Sequence, residues 1–474
     1  MKRTLFSTGL SILAAVVLAH AQASPYIEES KVDEVFARWT QQTPGCAVGV
    51  SKGGASVLQK AYGMADLEHD VPNRPDTIFE AGSVSKQFTA AAVLLLAGDG
   101  KLALDDAVRK YVPELPDYGL PLTIRHMLTH TSGLRDWGEV AAIAGWPRTS
   151  RVHTHAHALD IISRQKALNF PPGTQYSYSN SGYNLAAMIV ARVSGKSFAE
   201  FSRERIFEPL GMTRTSWRDD YTRIVKGRAI AYSQAGDRFR MNMPFEDVHG
   251  NGGLLTTVGD LLKWNENFVT PMVGDRDFVR LQQEPGKFND GKPHQYAMGL
   301  FVRPYKGLPE VSHSGSTAGY RAHLTRFPEQ HLSVAVLCNV AGGSATQYAM
   351  AVADMYLAGN ITAITARQEP RPRRQESTYA ADAKALASYV GRYYSDEAEV
   401  AYEVALDGGA LVIKRRPDTV IRLRPTAKDE FAAASTTYKF LRAGDGVVNE
   451  LSLRGSRVFD LRFQRQTPGS GSSH

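Results

Sequence analysis

The chain has 474 residues, of which 43% are hydrophobic and 22% charged, with a formal net charge of +7 at pH 7. This is enough chain for two or three domains with a sizeable core. The basic excess is modest and scattered, apart from Arg367 to Arg374, and carries no nucleic-acid-binding module. Two cysteines, Cys46 and Cys338, exclude a disulfide scaffold. Both fall in predicted strands; from the residues alone two separate buried thiols are the simpler expectation, although export would permit one bridge.

Lys2 and Arg3 precede an apolar run from Leu5 to Ala19, followed by Ala19-His20-Ala21 and Ala21-Gln22-Ala23. This is the pattern of a secretory signal peptide over residues 1–23. The run falls short of the roughly 20 residues a membrane span needs. The expectation is an exported protein, periplasmic or secreted, that begins near Gln22 or Ser24 and has no stable membrane insertion. Pro44 to Val50 reads as a strand, Lys52-Gly53-Gly54 as its turn and Ser56 to Tyr62 as the returning partner.

Next comes Glu80-Ala81-Gly82-Ser83-Val84-Ser85-Lys86, and then an apolar run from Phe88 to Ala97 that stops at Gly98-Asp99-Gly100. This predicts a buried helix with Ser83 near its N-terminus. Positions three apart share a helix face, so the Lys86 amine falls beside the Ser83 hydroxyl. A desolvated lysine can take the proton from a serine and make it a nucleophile. By itself S-x-x-K fixes two letters and also describes an ordinary exposed helix.

From Leu102 to about Trp264 the pattern is mainly helical, with segments at Thr123 to Leu128, His157 to Leu168, Ser181 to Val193, Ser197 to Phe207 and Thr257 to Phe268. His153, His155 and His157 read as a loop entering a helix. No H-E-x-x-H or cysteine pair accompanies them, so no metal is assigned. His130 reads as structural. Pro171-Pro172-Gly173 opens a rigid loop that carries Tyr178 and Asn180 into a helix. A tyrosine near an ammonium can shuttle protons, and an asparagine amide can orient a lysine or a substrate amide. The plainer alternative is a polar loop that caps the helix through Asn180 or Ser181.

Strand signals return at Gln295 to Arg303, Glu310 to His313, Tyr320 to Phe327 and Leu332 to Asn339, followed by a helix from about Ser344 to Leu357. Strands at both ends with helices between them predict an α+β unit over residues 24–365, its sheet assembled from the two ends and a helical lobe inserted. In Val311-Ser312-His313-Ser314-Gly315-Ser316, Gly315 would let a ligand approach the backbone, and the Ser316 N–H could join that of Ser83 in an oxyanion hole. A glycine-rich hairpin turn is the plainer reading. Residues 366–380 read as a linker and 466–474 as a disordered tail. Between them, 381–465 reads as a small antiparallel β-barrel or sandwich, with Asp407-Gly408-Gly409 and Gly444-Asp445-Gly446 as turns and Phe459, Leu461 and Phe463 on one strand face.

In this order, S-x-x-K, Y-x-N and H-x-G are similar to the motifs of the penicillin-recognising serine hydrolases, in the subgroup of class C β-lactamases, D-aminopeptidases, D-alanyl-D-alanine carboxypeptidases and related esterases. Thr123 to Leu134 and Asn251 to Thr257 resemble stretches of the same family, and the likeness covers roughly residues 35 to 360. It implies a five-stranded antiparallel sheet with helices on both faces and an all-helical lobe. The first strand would lie beside the last, which brings Cys46 next to Cys338 and makes a bridge more plausible. It implies Ser83 as nucleophile, Lys86 and Tyr178 as proton relay, Asn180 as the residue that positions Lys86 and the substrate amide, His313 and Gly315 as further substrate-binding residues, and the Ser316 backbone at the oxyanion. No cofactor is implied.

The β-lactamases and carboxypeptidases usually carry lysine where this chain has His313, while D-aminopeptidase-like and esterase-like members commonly show histidine. With an ordinary pKa near 6.5, His313 would be partly charged at neutral pH. Arg321 could replace the lost charge, though an exposed strand arginine is the simpler expectation. The resemblance points to hydrolysis of small esters or amides, D-amino-acid peptides or wall-derived peptides among them. A β-lactamase and a non-turnover penicillin-binding sensor are the alternatives. The small C-terminal domain would cover the cleft edge or mediate homo-oligomers. The 136–151 and 219–248 loops would shape the cleft.

Overall fold

The computed structural model describes residues 29–361, 379 and 381–467. The predicted leader at 1–23, the basic stretch 367–374 and the part of the predicted tail from 468 lie outside the described residues. A six-stranded antiparallel sheet runs in the order Phe301–Tyr305, Leu308–Thr317, Tyr320–Phe327, Leu332–Cys338, Cys46–Lys52 and Ala55–Tyr62. It has one strand more than the family resemblance implies, because Phe301–Tyr305 turns over Lys306 and Gly307, both at positive φ, and pairs back on Leu308–Thr317.

The strand predicted from Gln295 starts only at Phe301. Residues 295–300 instead pass close against the Ser83 helix, and a Cβ on Gly299 would lie 2.6 Å from the Lys86 carbonyl oxygen. The first and last strands of the sheet core are neighbours, with Cys46 directly opposite Cys338. The two are joined in a disulfide, which corrects the expectation of two free thiols.

Alternate residues of the central strands face two different cores. Val48, Val50, Val334 and Val336 pack with Val32, Phe36 and Val352 on the side of the Glu29–Phe36 and Ala345–Leu357 helices. Ala47, Ala335 and Leu337 pack with Leu261 and the Ser83 helix on the other. With both faces covered, the strands read as continuous apolar runs.

Ser83 lies in a 3₁₀ turn, Gly82–Val84, that leads into the Ser85–Gly98 helix. That helix is apolar nearly all round and accordingly buried. Phe88 packs against Trp264 and Phe207, and the buried Gln87 Oε1 accepts a hydrogen bond from Trp264 Nε1. The helix ends where Gly100 takes φ 70°, with Lys101 N–H bonded back to the Leu96 carbonyl. The helix predicted over 157–168 runs instead over His155–Ser163, with Thr154 as its N-cap.

The C-terminal unit is a nearly closed antiparallel barrel of nine strands, from Gly391–Ser395 to Leu461–Arg465. It is not all-β, since Ala383–Tyr389 is a helix. The alternating stretch from Phe459 starts as a strand only at Leu461, because Asp460 adopts a left-handed backbone at φ 54°. The barrel sits on the helical lobe. Arg135 pairs with Glu397 in a buried bridge and donates to the Phe459 and Asp460 carbonyls. Asn169 brackets the same loop, donating to the Arg457 carbonyl and accepting from Phe459 N–H.

Candidate active site

Ser83 opens onto a cleft of about 1030 Å³ between the sheet, the lobe and the barrel. Two glycines let the Ser83 turn and the Leu308–Thr317 strand meet. A Cβ on Gly82, at φ 50°, would lie 2.6 Å from Ser316 N. A Cβ on Gly315 would lie 2.0 Å from the Ala81 carbonyl oxygen and 3.1 Å from Ser83 N. The amides of Ser83 and Ser316 are therefore close neighbours, as two donors to one oxygen must be.

Lys86 is fully buried. Its Nζ lies 3.1 Å from Ser83 Oγ, 2.9 Å from Asn180 Oδ1 and 2.7 Å from the Asn251 carbonyl oxygen. Burial, reinforced by the Arg457 charge, holds the lysine well below its ordinary pKa, against the opposing pull of Asp136. This shift favours the neutral amine that a base needs.

Tyr178 presents its ring 4.9 Å from Lys86 Nζ. Its hydroxyl has no hydrogen bond of ordinary geometry, and burial pushes the phenol up while the neighbouring Ser83 hydroxyl pulls it down. Behind it stacks the buried ring of His130, 4.1 Å from that of Tyr178. His130 Nδ1 accepts from Ser179 N–H, so this histidine braces the loop.

Asn180 is the first residue of its helix, but neither it nor Ser181 is the cap. Asp136 reaches across from the lobe instead, and its Oδ2 accepts from both Asn180 N–H and Asn180 Nδ2, at 2.8 and 2.9 Å.

His313 corrects the expectation of a partial charge. Burial is the main cause that pushes it down to about 3, so it is neutral at pH 7. Its Nδ1–H donates to the Ser314 carbonyl, which can only accept, and its Nε2 therefore accepts from the Tyr296 hydroxyl. Arg321 is not an exposed strand arginine. It is half-buried on the cleft wall, with Nη1 donating to the Ala318 and Tyr320 carbonyls.

The predicted residues Ser83, Lys86, Tyr178, Asn180, His313, Gly315 and Ser316 thus come together in one cleft. The histidines of the H-x-H-x-H run serve different partners. His157 closes the capping box with Thr154, and His155 accepts from His249 N–H.

Sequence reading missed the groups that complete the walls. The Arg457 guanidinium lies 4.9 Å from the Tyr178 ring and 3.6 Å from Asp136. Glu139 accepts from Ser456 and Arg457 N–H, pinning this barrel loop at the cleft mouth. Beneath Ser83, Glu80 is paired with Arg218, which also meets Glu246, and Glu246 holds Arg148 on the cleft wall. Part of the 136–151 segment lines the cleft, whereas no residue of 219–248 does.

The chain is similar to known proteins along most of its length. A D-aminopeptidase of Brucella anthropi is 30% identical over 317 residues, covering 66% of this chain and 59% of that protein. The D-aminopeptidase of Gluconobacter oxydans (strain 621H) is 33% identical over 303 residues, covering 62% and 56%. The chain thus spans less than three fifths of the length of these curated relatives. Among solved structures, an octameric penicillin-binding protein homologue from Pyrococcus abyssi matches with a TM-score of 0.62 at 25% identity, covering 92% of this chain and 99% of that one. Residues 27–356 match the family model described as Beta-lactamase, most of the chain including every motif of the cleft except the barrel loop, and the chain belongs to that family.

Proposed function

We propose that the chain is an exported serine hydrolase that cleaves small amides and esters, D-amino-acid amides and short D-peptides foremost, through an acyl-enzyme on Ser83. The observation that carries this is the buried Lys86 amine within hydrogen-bond reach of Ser83 Oγ. Ser83 Oγ attacks the substrate carbonyl and its proton passes to Lys86 Nζ. The oxygen that gains charge lies between the Ser83 and Ser316 amides. The leaving amine or alcohol takes a proton from the Lys86–Tyr178 pair, and water then releases the acyl group by the reverse path.

The D-aminopeptidase relatives support the choice of substrate, and the neutral His313 supports an amide or ester over a substrate held by a cation at that position. The Cys46–Cys338 disulfide and the leader sequence support export to an oxidising compartment. Among the described residues no helix is long and apolar enough to cross a membrane. The octameric neighbour makes self-association part of the proposal.

The test is turnover of D- and L-alanine p-nitroanilide, p-nitrophenyl acetate and benzylpenicillin by the mature protein and by Ser83→Ala. Ser83-dependent cleavage of the D-anilide in preference to the L-form is expected. Rapid penicillin loss with an inert D-anilide would make it a β-lactamase. A lasting penicillin adduct without turnover would make it a penicillin-binding sensor.

A further inference from the structure

The three partners of Lys86 decide where its hydrogens go. The Asn251 carbonyl and Asn180 Oδ1 can only accept. A neutral amine has two hydrogens and one lone pair. Both hydrogens are taken by these oxygens, and the lone pair is left facing the Ser83 hydroxyl. This depends on which end of the Asn180 amide points at Lys86. With the amide turned over, an NH2 group would face the amine and claim the lone pair that Ser83 needs.

Asp136 sets the orientation. A carboxylate cannot donate, so Asn180 must turn its NH2 toward Asp136 Oδ2 and its oxygen toward Lys86. Asp136 is itself held, with Oδ1 accepting from Glu139 N–H as the N-cap of the Trp137–Ile143 helix and Oδ2 facing Arg457 of the barrel loop. It is 2% exposed and makes no hydrogen bond to Ser83 or Lys86 among the described residues.

We propose that Asp136 is a positioning residue for nucleophile activation, holding the Asn180 carbonyl on Lys86 so that the amine's lone pair faces Ser83, and that Arg457 ties this arrangement to the docked barrel. The proposal rests on the reading of Ser83 as nucleophile and Lys86 as its base. It gives the barrel a part in the chemistry beyond covering the cleft edge.

The charged and titratable groups around Lys86 are Asp136, Arg457, Arg148, His130, His313, Tyr178 and Tyr183. Burial holds both histidines neutral and both phenols protonated at neutral pH. The arginines lower the lysine's affinity for a proton and Asp136 raises it. Loss of the Asp136 charge therefore moves the acid limb of activity to lower pH, and loss of the Arg457 charge moves it to higher pH.

The experiment measures the rate at which a fluorophosphonate labels Ser83 between about pH 5 and pH 9, in the wild-type chain, Asp136→Asn and Arg457→Met, with circular dichroism to verify folding. Labelling forms the Oγ–P bond, expels fluoride and passes the proton to Lys86, so it needs no knowledge of the substrate. Asp136→Asn is expected to label about 10²-fold more slowly on the plateau, the scale of a lost general base, with its acid limb shifted down. Arg457→Met is expected to shift the limb up. The limb shifts report the two charges beside Lys86, and the slower plateau in a folded Asp136→Asn reports the misplaced amine, which a merely structural role would leave unchanged.

Wild-type labelling at Ser83 with an unchanged plateau and limb in Asp136→Asn would overturn the proposal and leave the nucleophile intact. If Asp136→Asn fails to fold, an unmoved limb in Arg457→Met overturns it. A wild-type protein that labels nowhere or at another residue removes the nucleophile reading, and this inference with it.

Discussion

Gly315→Ala tests the oxyanion geometry by adding a single carbon. The added Cβ would stand 2.0 Å from the Ala81 carbonyl oxygen and 3.0 Å from its carbon. Ordinary carbon–oxygen contact begins near ~3.3 Å, so either the strand or the Ser83 turn must retreat by about 1 Å. Neither segment is free to absorb this. Ala81 N–H is bonded to the Leu254 carbonyl, and Ser314 and Ser316 sit in register with His323 and Arg321 of the next strand. A misplacement of about 1 Å costs on the order of 10²-fold in rate, and loss of one oxyanion donor about 10²–10³-fold. Overpacking should lower stability by about 1–3 kcal/mol. The assay is kcat/KM on an activated ester together with urea unfolding, for Gly315→Ala and for Gly342→Ala, where an added Cβ meets nothing within 4 Å. A fall of about 10²-fold or more, confined to Gly315→Ala, is expected. A folded Gly315→Ala with wild-type kcat/KM would refute the pairing of the two amides.

Three other outcomes follow from the same structure. Because the base must be neutral and burial depresses Lys86, kcat/KM should rise with pH along a limb far below the ordinary lysine value of 10.5 and then level off; a limb at that value would contradict the depressed lysine. Replacing Cys46 and Cys338 by alanine should lower the unfolding free energy by about 2–4 kcal/mol, read from urea denaturation. Arg218→Leu strands the buried Glu80 carboxylate and should cost about 3–5 kcal/mol at neutral pH. In the wild type burial pushes Glu80 up, but Arg218, Arg228 and Arg148 outweigh it and hold the group below 4.5. Its contribution is therefore present above that pH and fades as pH falls through the lower folded value. In Arg218→Leu the folded value rises above the unfolded one, and stability should recover as pH falls.

The parts of the site legible in the sequence are those whose geometry is local. Ser83 and Lys86 lie three apart at the start of one helix, and Tyr178 and Asn180 lie two apart where a rigid loop enters another. Short spacings fix such relations before any tertiary contact is known. The charge state of His313 was illegible because it depends on burial by groups from several elements, Tyr296 and Lys86 among them. Asp136 and Arg457 were illegible for a related reason. They meet only because Arg135 and Asn169 dock the barrel on the lobe, and neither sits in a motif. The strand from Phe459 was misjudged because alternation of apolar residues cannot reveal that Asp460 takes a left-handed backbone. The register that joins Cys46 to Cys338 was implied by the family resemblance alone and not by the residues around them.

The central claim is a covalent acyl-enzyme on Ser83. It is tested most directly by an acid-quenched intact-mass measurement during turnover of D-alanine p-nitrophenyl ester, with peptide mapping and Ser83→Ala alongside. The account predicts a D-alanyl adduct that maps to Ser83, decays as substrate is exhausted and is absent from the variant. Turnover retained by Ser83→Ala, or an adduct on another residue, would contradict it.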